Sequence, residues 1–252
     1  MLRGIYAAAA GMDVQQARLD VLSNNLANVR TAGFKKEDLL VGPFSELFLQ
    51  YREEPLERPE ANPRVVGRLN LGAQVYEVIP DLRNGPLQET FNPTDLALEG
   101  DGFFTVNTEE GTRYTRDGSF TLNQDGCLAT SRGDLVLGEN GPIAVGEGEF
   151  KVSSDGEVRS KGQVIDRLAL AAFKERLVKL ENNYYVAPAD VQKAETVNLK
   201  VKQGYLERSN VQVADEMVDM IGIIHIYEAN QKVVKALDEL LDKAVNQVGS
   251  VK

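Results

Sequence analysis

The sequence predicts an α+β protein, with long N- and C-terminal helices pairing as a coiled coil around a β-rich central domain. Three observations carry this expectation. Apolar residues recur at alternating steps of three and four near both termini. Asp-Gly and Asn-Gly pairs crowd the middle of the chain. Charge is also unevenly spread: residues 1–33 carry a net +1 and residues 208–252 a net −2, which leaves −9 of the total −10 between 34 and 207.

The first element follows from a walk that begins at Ile5. It passes Ala8, Met12, Gln15, Leu19, Leu22, Leu26 and Val29, and only Gln15 is polar. That is a heptad seam rather than a strand alternation. Gly33 offers a left-handed stop, with Phe34 placed to fold back on the last turn. The expected N-terminal helix is 1–33. Ser23, Asn24, Asn25 and Asn28 interrupt it with weak helix formers, and their amides suit a polar contact surface because they both donate and accept.

Pro55, Pro59 and Pro63 then fall four apart among Arg and Glu, which forbids a helix and predicts an extended, solvated connector over 34–65. From 66 to 205 the pattern is β. Phe103–Val106, Ser119–Leu122 and Asp134–Leu137 are strand-like runs between turn pairs such as Asp101-Gly102, Asp117-Gly118, Asp125-Gly126 and Asp155-Gly156. The last segment, 206–252, returns to the helical period. Met217, Met220, Ile224, Tyr227, Gln231, Val234, Asp238, Leu241, Val245 and Val248 form its seam. Stripes this wide at both ends need a partner, either each other or another molecule.

Composition removes many functions. A net charge of −10 repels a phosphate backbone, so no nucleic-acid partner is expected. One cysteine, Cys127, leaves no intramolecular disulfide and no CxxC motif, and the lone His225 offers no metal cluster and weakens any Ser-His or Cys-His mechanism. A calcium loop tried at Thr121–Gly126 lacks the acidic ligands at its first and twelfth positions. The motifs GxGxxG, GxxxxGK and GxSxG are missing, and paired acids such as Glu53-Glu54 and Glu109-Glu110 read as solvated charge. We therefore expect no catalytic residues, no metal and no cofactor. No segment has the run of about 18 apolar residues that spans a bilayer. The Ile5–Met12 run is short and flanked by polar residues, so a cleavable secretory signal is not expected either.

Four ordered blocks carry a resemblance. Gly11-Met12 through Gln15-Gln16, Leu19-Asp20, Ser23-Asn24-Asn25-Leu26-Ala27-Asn28-Val29 and Thr31 to Gly33-Phe34-Lys35 form the first. Asn92-Pro93-Thr94-Asp95 to Gly100-Asp101-Gly102-Phe103-Phe104 and Tyr114-Thr115-Arg116-Asp117-Gly118-Ser119-Phe120 are the second and third. Leu206-Glu207-Arg208-Ser209-Asn210-Val211, Glu216-Met217 to Met220-Ile221 and Tyr227-Glu228 to Lys232 make the fourth. In this order and over nearly the whole chain, they resemble the flagellar basal-body rod and hook proteins.

The resemblance implies a structural protein without enzymatic activity, a rod subunit of proximal or distal type that forms a hollow, torque-transmitting shaft. Its partners would be further copies in a helical homopolymer, neighbouring rod and hook proteins, and the flagellar type III export apparatus. The last would account for the absence of a signal, and no direct membrane insertion is implied. The expected polymerisation interface is Met12, Gln15, Leu19, Leu22, Asn24, Asn25, Leu26, Asn28 and Val29 with Met217, Met220, Ile224, Tyr227, Gln231, Val234 and Leu241. The segment 44–74 could correspond to the connector that stiffens a distal rod. Phe91 stands where the family commonly has glycine, and Ile223-Ile224-His225 replace a more polar stretch. The competing expectation is a soluble β-domain binding module that its helices merely dimerise.

Overall fold

A computed structural model describes residues 2–44, 47–51, 64–69, 72–146, 148–173, 177–187, 193–194 and 199–248. The chain divides into two compact units. One contains residues 1–24, 37–79 and 214–252, and the other contains 25–36 and 80–213.

The first unit holds two helices and a ribbon. Helix α1 spans Leu2–Ala27, opening on an alanine-rich run of strong helix formers. It ends where Asn28 turns the chain: Thr31 donates to Asn28 through both its backbone N–H (3.0 Å) and its hydroxyl (3.2 Å). Residues 28–33 are turn rather than the expected helix. Helix α2 spans Val213–Lys243, with Asp215 and Glu216 in its first turn and Lys243 in its last, as the helix dipole favours. The two helices meet antiparallel. A Cβ added at Gly4 would lie 3.0 Å from Leu237 Cδ1, and one at Gly11 would lie 3.0 Å from Asn230 Nδ2.

The expected connector, 34–65, contains β1 (Glu37–Pro43) and β2 (Leu47–Tyr51), which run out; β3 (Arg64–Leu69) and β4 (Ala73–Pro80), lying mostly in the expected β region, run back. β1 pairs with β4, and β2 pairs antiparallel with β3. Tyr76 donates its hydroxyl to the Pro43 carbonyl at 2.8 Å, and Phe44 N–H donates to Gly72 O at 3.0 Å. Pairing satisfies backbone groups that a single extended strand would leave to water. The proline series at 55, 59 and 63 lies outside the described residues.

The second unit is built mainly of strands. Its strands are β5 (Leu87–Glu89), β6 (Leu96–Glu99), β7 (Phe103–Thr108), β8 (Gly111–Thr115), β9 (Thr121–Leu122), β10 (Leu128–Ala129), β11 (Leu135–Val136), β12 (Phe150–Val152), β13 (Glu157–Ser160) and β14 (Gln163–Arg167). They continue with β15 (Leu170–Phe173), β16 (Val178–Lys179), β17 (Tyr184–Val186), β18 (Lys193–Ala194), β19 (Lys200–Gln203) and β20 (Tyr205–Glu207). The main sheet runs β16-β17-β8-β7-β11-β10-β9, with β15 joined to β7. β12-β13-β14 form an antiparallel meander, while β19 pairs with β6 and β20 with β5. The strand-like run at 103–106 is β7, and those at 119–122 and 134–137 contain β9 and β11.

β7 shows how period-two alternation builds two cores. Phe104 and Val106 enter a cluster with Leu96, Phe120, Val136, Ile143 and Val201. Phe103 points the other way, toward Tyr114, Ala171 and Tyr185. Phe104 and Phe120 meet edge to face with centroids 5.1 Å apart, and each buried side chain of this size contributes about 1.5–3 kcal/mol. Gly118 follows from packing density rather than turn geometry, since a Cβ there would collide with the Leu96 carbonyl oxygen. The first residues of the expected C-terminal helix, Leu206 and Glu207, are instead strand β20 against β5. Helix begins only at Val213 because the backbone at 205–207 is committed to a sheet ladder.

Phe91 has a φ of 58°. That left-handed conformation costs a bulky L-residue roughly 1–2 kcal/mol.

Candidate functional site

Within the second unit, three segments distant in sequence converge on one buried carboxylate. β20 delivers Glu207, whose side chain is 1% exposed. The turn after α1 delivers Lys35, and the segment after β8 delivers Arg116. Lys35 Nζ donates to Glu207 Oε1 at 2.6 Å, and the Gly85 backbone N–H reaches the same oxygen at 2.8 Å. Arg116 Nη1 donates to Glu207 Oε2 at 3.2 Å. Each cation has a second acceptor: Lys35 donates to Arg83 O at 2.8 Å, and Arg116 Nη2 to Gly100 O at 2.6 Å. The guanidinium also lies 5.2 Å from the centroid of the Phe103 ring.

Two cations and one anion out of water are expensive unless their hydrogen bonds are made. Burial pulls the Lys35 ammonium below its ordinary pKa, against the opposing pull of Glu207. Burial lowers Arg116 in the same way, again opposed by Glu207. Beside them, burial pushes the Asp117 carboxyl up, although Ser119 hydrogen bonds to it through its hydroxyl at 2.6 Å and its N–H at 2.9 Å.

The backbone is stitched at the same place. Gly33 N–H donates to Glu207 O at 2.8 Å. Gly33 takes a φ of 65°, and a Cβ there would strike the Arg116 carbonyl carbon, so both conformation and space demand glycine. Asn210 Oδ1 accepts from Lys36 N–H at 2.7 Å, while its Nδ2 donates to Asp81 O at 2.9 Å. The Lys179 ammonium lies 4.1 Å from the centroid of the Phe34 ring. The cluster can therefore clasp residues 33–36 and 207–210 to one another inside the β unit. No group of three or more metal-ligating side chains occurs among the described residues.

Sequence reasoning missed this clasp as a site. Lys35, Arg116 and Glu207 nevertheless sit one in each of three blocks read as motifs, beside Gly33, Gly118 and Gly204, and that adjacency was the available signal.

The expected interface residues are distributed unevenly. Gln15 (8% exposed), Leu22 (7%) and Asn25 (0%) are buried within the chain, so in this conformation they present almost nothing to another molecule. The Gln15 side-chain oxygen has no hydrogen-bond partner. Met12, Leu19, Leu26, Asn28 and Val29 are half-buried, and Asn24 is exposed. On α2 the inward stripe is Glu216, Met220, Ile223, Tyr227, Asn230, Val234, Leu237 and Leu241. Met220, Tyr227, Val234 and Leu241 belong to the expected seam, whereas Met217, Ile224 and Gln231 face water beside it. Val218, Ile221 and Ile226 are exposed as well, at 68%, 57% and 48%. His225 is exposed. In the turn tried as a calcium loop, Asn123 Oδ1 accepts the N–H groups of Asp125 and Cys127. No helix is long and apolar enough to cross a membrane among the described residues.

Comparison with known proteins gives matches along the chain. Residues 5–35 match the family model "Flagella basal body rod protein", residues 97–164 "Flagellar hook protein FlgE/F/G D1 domain", and residues 202–248 "Flagellar basal body rod FlgEFG protein C-terminal". The flagellar hook-basal body complex protein FlhO of Bacillus subtilis is 31% identical, with both chains covered completely. The flagellar basal-body rod protein FlgG of the same organism is 32% identical over 98% of this chain and 99% of its own. FlgF of Caulobacter vibrioides, also named a basal-body rod protein, is 30% identical with both chains fully covered. On matches that run from one end of the chain to the other, the protein belongs to the flagellar basal-body rod protein family, related to the hook proteins.

Proposed function

We propose that this chain is a structural, non-enzymatic subunit of the flagellar basal-body rod that polymerises through its terminal helices into a hollow, torque-transmitting shaft. Family membership supports the structural rod role and the basal-body location. The observation that carries polymerisation is the open apolar face of α2, where Met217, Val218, Ile221 and Ile224 lie in water. Burying such a face against further copies offsets the entropy of ordering the helices.

In this reading α1 and α2 of successive copies pack as coiled coils. The half-buried Met12, Leu19, Leu26 and Val29, with Met220, Tyr227, Val234 and Leu241, supply the seam. Asn24, Asn28, Met217, Ile224 and Gln231 supply its flank. Gln15, Leu22 and Asn25 act indirectly by holding α1 in place. Partners are further copies, neighbouring rod and hook proteins, and the flagellar type III export apparatus. The net charge of −10 keeps the unassembled chain soluble and disfavours nucleic acid.

The test combines light scattering and electron microscopy of the purified chain with limited proteolysis before and after assembly. We expect tubes above a critical concentration. Trimming of roughly residues 1–24 and 214–252 should occur in dilute protein and be blocked in the polymer. A defined dimer that never elongates sinks the proposal.

A further inference from the structure

The β unit contains Asn-Gly-Pro twice, as Asn84-Gly85-Pro86 and Asn140-Gly141-Pro142, and the structure treats the two copies differently. Asparagine is a labile residue, above all before glycine, where no Cβ hinders the next backbone nitrogen from attacking the side-chain amide carbon. Both asparagines are exposed, so access to water does not separate them. The state of the attacking nitrogen does.

At the first copy that nitrogen is engaged inside the clasp, where Gly85 N–H donates to Glu207 Oε1 at 2.8 Å. The backbone is crowded as well, since a Cβ at Gly85 would collide with the Arg208 carbonyl oxygen. The nitrogen cannot give up its proton to water or swing toward the Asn84 side chain unless the clasp opens. At the second copy, among the described residues, no hydrogen bond holds Gly141 N–H and nothing lies within 4 Å of where its Cβ would be. Asn140 sits in the turn closed by Gly138 N–H donating to Gly141 O at 2.7 Å. Its Nδ2 donates to Asp166 Oδ1 at 2.9 Å, and its N–H to Asp166 Oδ2 at 3.1 Å. Asp166 itself is 9% exposed.

We propose that Asn140 is a site of spontaneous deamidation and that the clasp protects Asn84 from the same reaction. Gly141 N bonds to Asn140 Cγ, the Cγ–Nδ2 bond breaks, and Nδ2 departs as ammonia with the proton that Gly141 gave up. Water then adds to either carbonyl carbon of the succinimide and reopens it as aspartate or isoaspartate, with no change of oxidation state. The product sets a second carboxylate beside the buried Asp166 in place of a donor, and that repulsion loosens the 138–141 turn from β14. The inference is independent of the polymerisation proposed above.

Two experiments test it. The purified chain is held in mildly alkaline buffer made with heavy-oxygen water, either folded or in urea, and its peptides are followed by mass spectrometry. In the folded chain, label should enter the Asn140 peptide at least about tenfold faster than the Asn84 peptide, because Asn84 must wait for local opening. In urea the two rates should converge. Equal rates in the folded chain, or an Asn140 peptide that converts only in urea, overturns the proposal. In the second experiment Asn140→Asp stands in for the product. It should lower the urea midpoint of the β unit, and adding Asp166→Asn should recover part of the loss. An Asn140→Asp chain as stable as the wild type, or a loss that Asp166→Asn leaves whole, overturns the loosening by charge.

Discussion

The β unit turns its apolar residues inward: Leu96, Val106, Leu128, Val136, Ile143 and Val158 have no exposed surface at all. At its centre both oxygens of Glu207 are occupied, although the buried Arg116 Nε has no hydrogen-bond partner among the described residues. Helix α2 does the reverse and leaves Val218, Ile221 and Ile226 in water while burying Glu216. The core of the β unit is closed within the chain, although Phe91, Val164 and Val178 stay exposed on its surface. The helices hold surface in reserve for other molecules.

The largest expected effect tests that closure. Glu207→Ala leaves Lys35 and Arg116 buried without their anion, and removing one partner of such a cluster costs about 3–5 kcal/mol. Urea unfolding of the β unit should show the loss, and replacing all three charges with apolar residues of similar volume should recover most of it. Gly33→Ala comes next, because it forces a positive φ on alanine and drives a Cβ into the Arg116 backbone. A loss of at least about 1–2 kcal/mol is expected by the same assay.

A smaller effect concerns pH. Tyr184 donates to Asp134 Oδ2 at 2.5 Å. Burial, with that carboxylate, raises the phenol from 10.0 to about 12. The folded state thus holds this proton more tightly. Its contribution is complete below pH 10 and is lost as pH rises through about 12. Tyr184→Phe should lower urea midpoints at neutral pH and flatten their decline over the alkaline range. The smallest effect on monomer stability sharpens the contrast most. Ile221→Asp should cost no more than about 0.5 kcal/mol in the isolated chain, yet block elongation measured by light scattering. A large loss of monomer stability would mean that α2 is already packed as a finished core.

The sequence made the helices legible because a wide apolar stripe repeats over many turns. It could not fix their rotation. A period of 3.5 allows two seams through Met220, Tyr227, Val234 and Leu241. One continues through Met217 and Ile224, the other through Glu216, Ile223, Asn230 and Leu237. Each adds two apolar and two polar residues, since the first also takes Gln231 and Asp238, so composition does not choose between them, whereas the structure turns the second inward. Alternation and turn pairs revealed the β centre for a similar local reason. The ribbon was hidden because β1 and β4 are about thirty residues apart in sequence, and a pairing over that distance leaves no local signal. The clasp was hidden because Lys35 and Glu207 lie 172 residues apart and each alone reads as a surface charge.

That separation also sets a schedule. The β unit cannot close its clasp until Glu207 has joined Lys35, and closing so long a loop is slow compared with local folding. Glu207 stands about four-fifths of the way along the chain, so the central unit can lock only when nearly all of the sequence is present. The distance between two charges thus ties the rigidity of the unit to the presence of almost the whole chain.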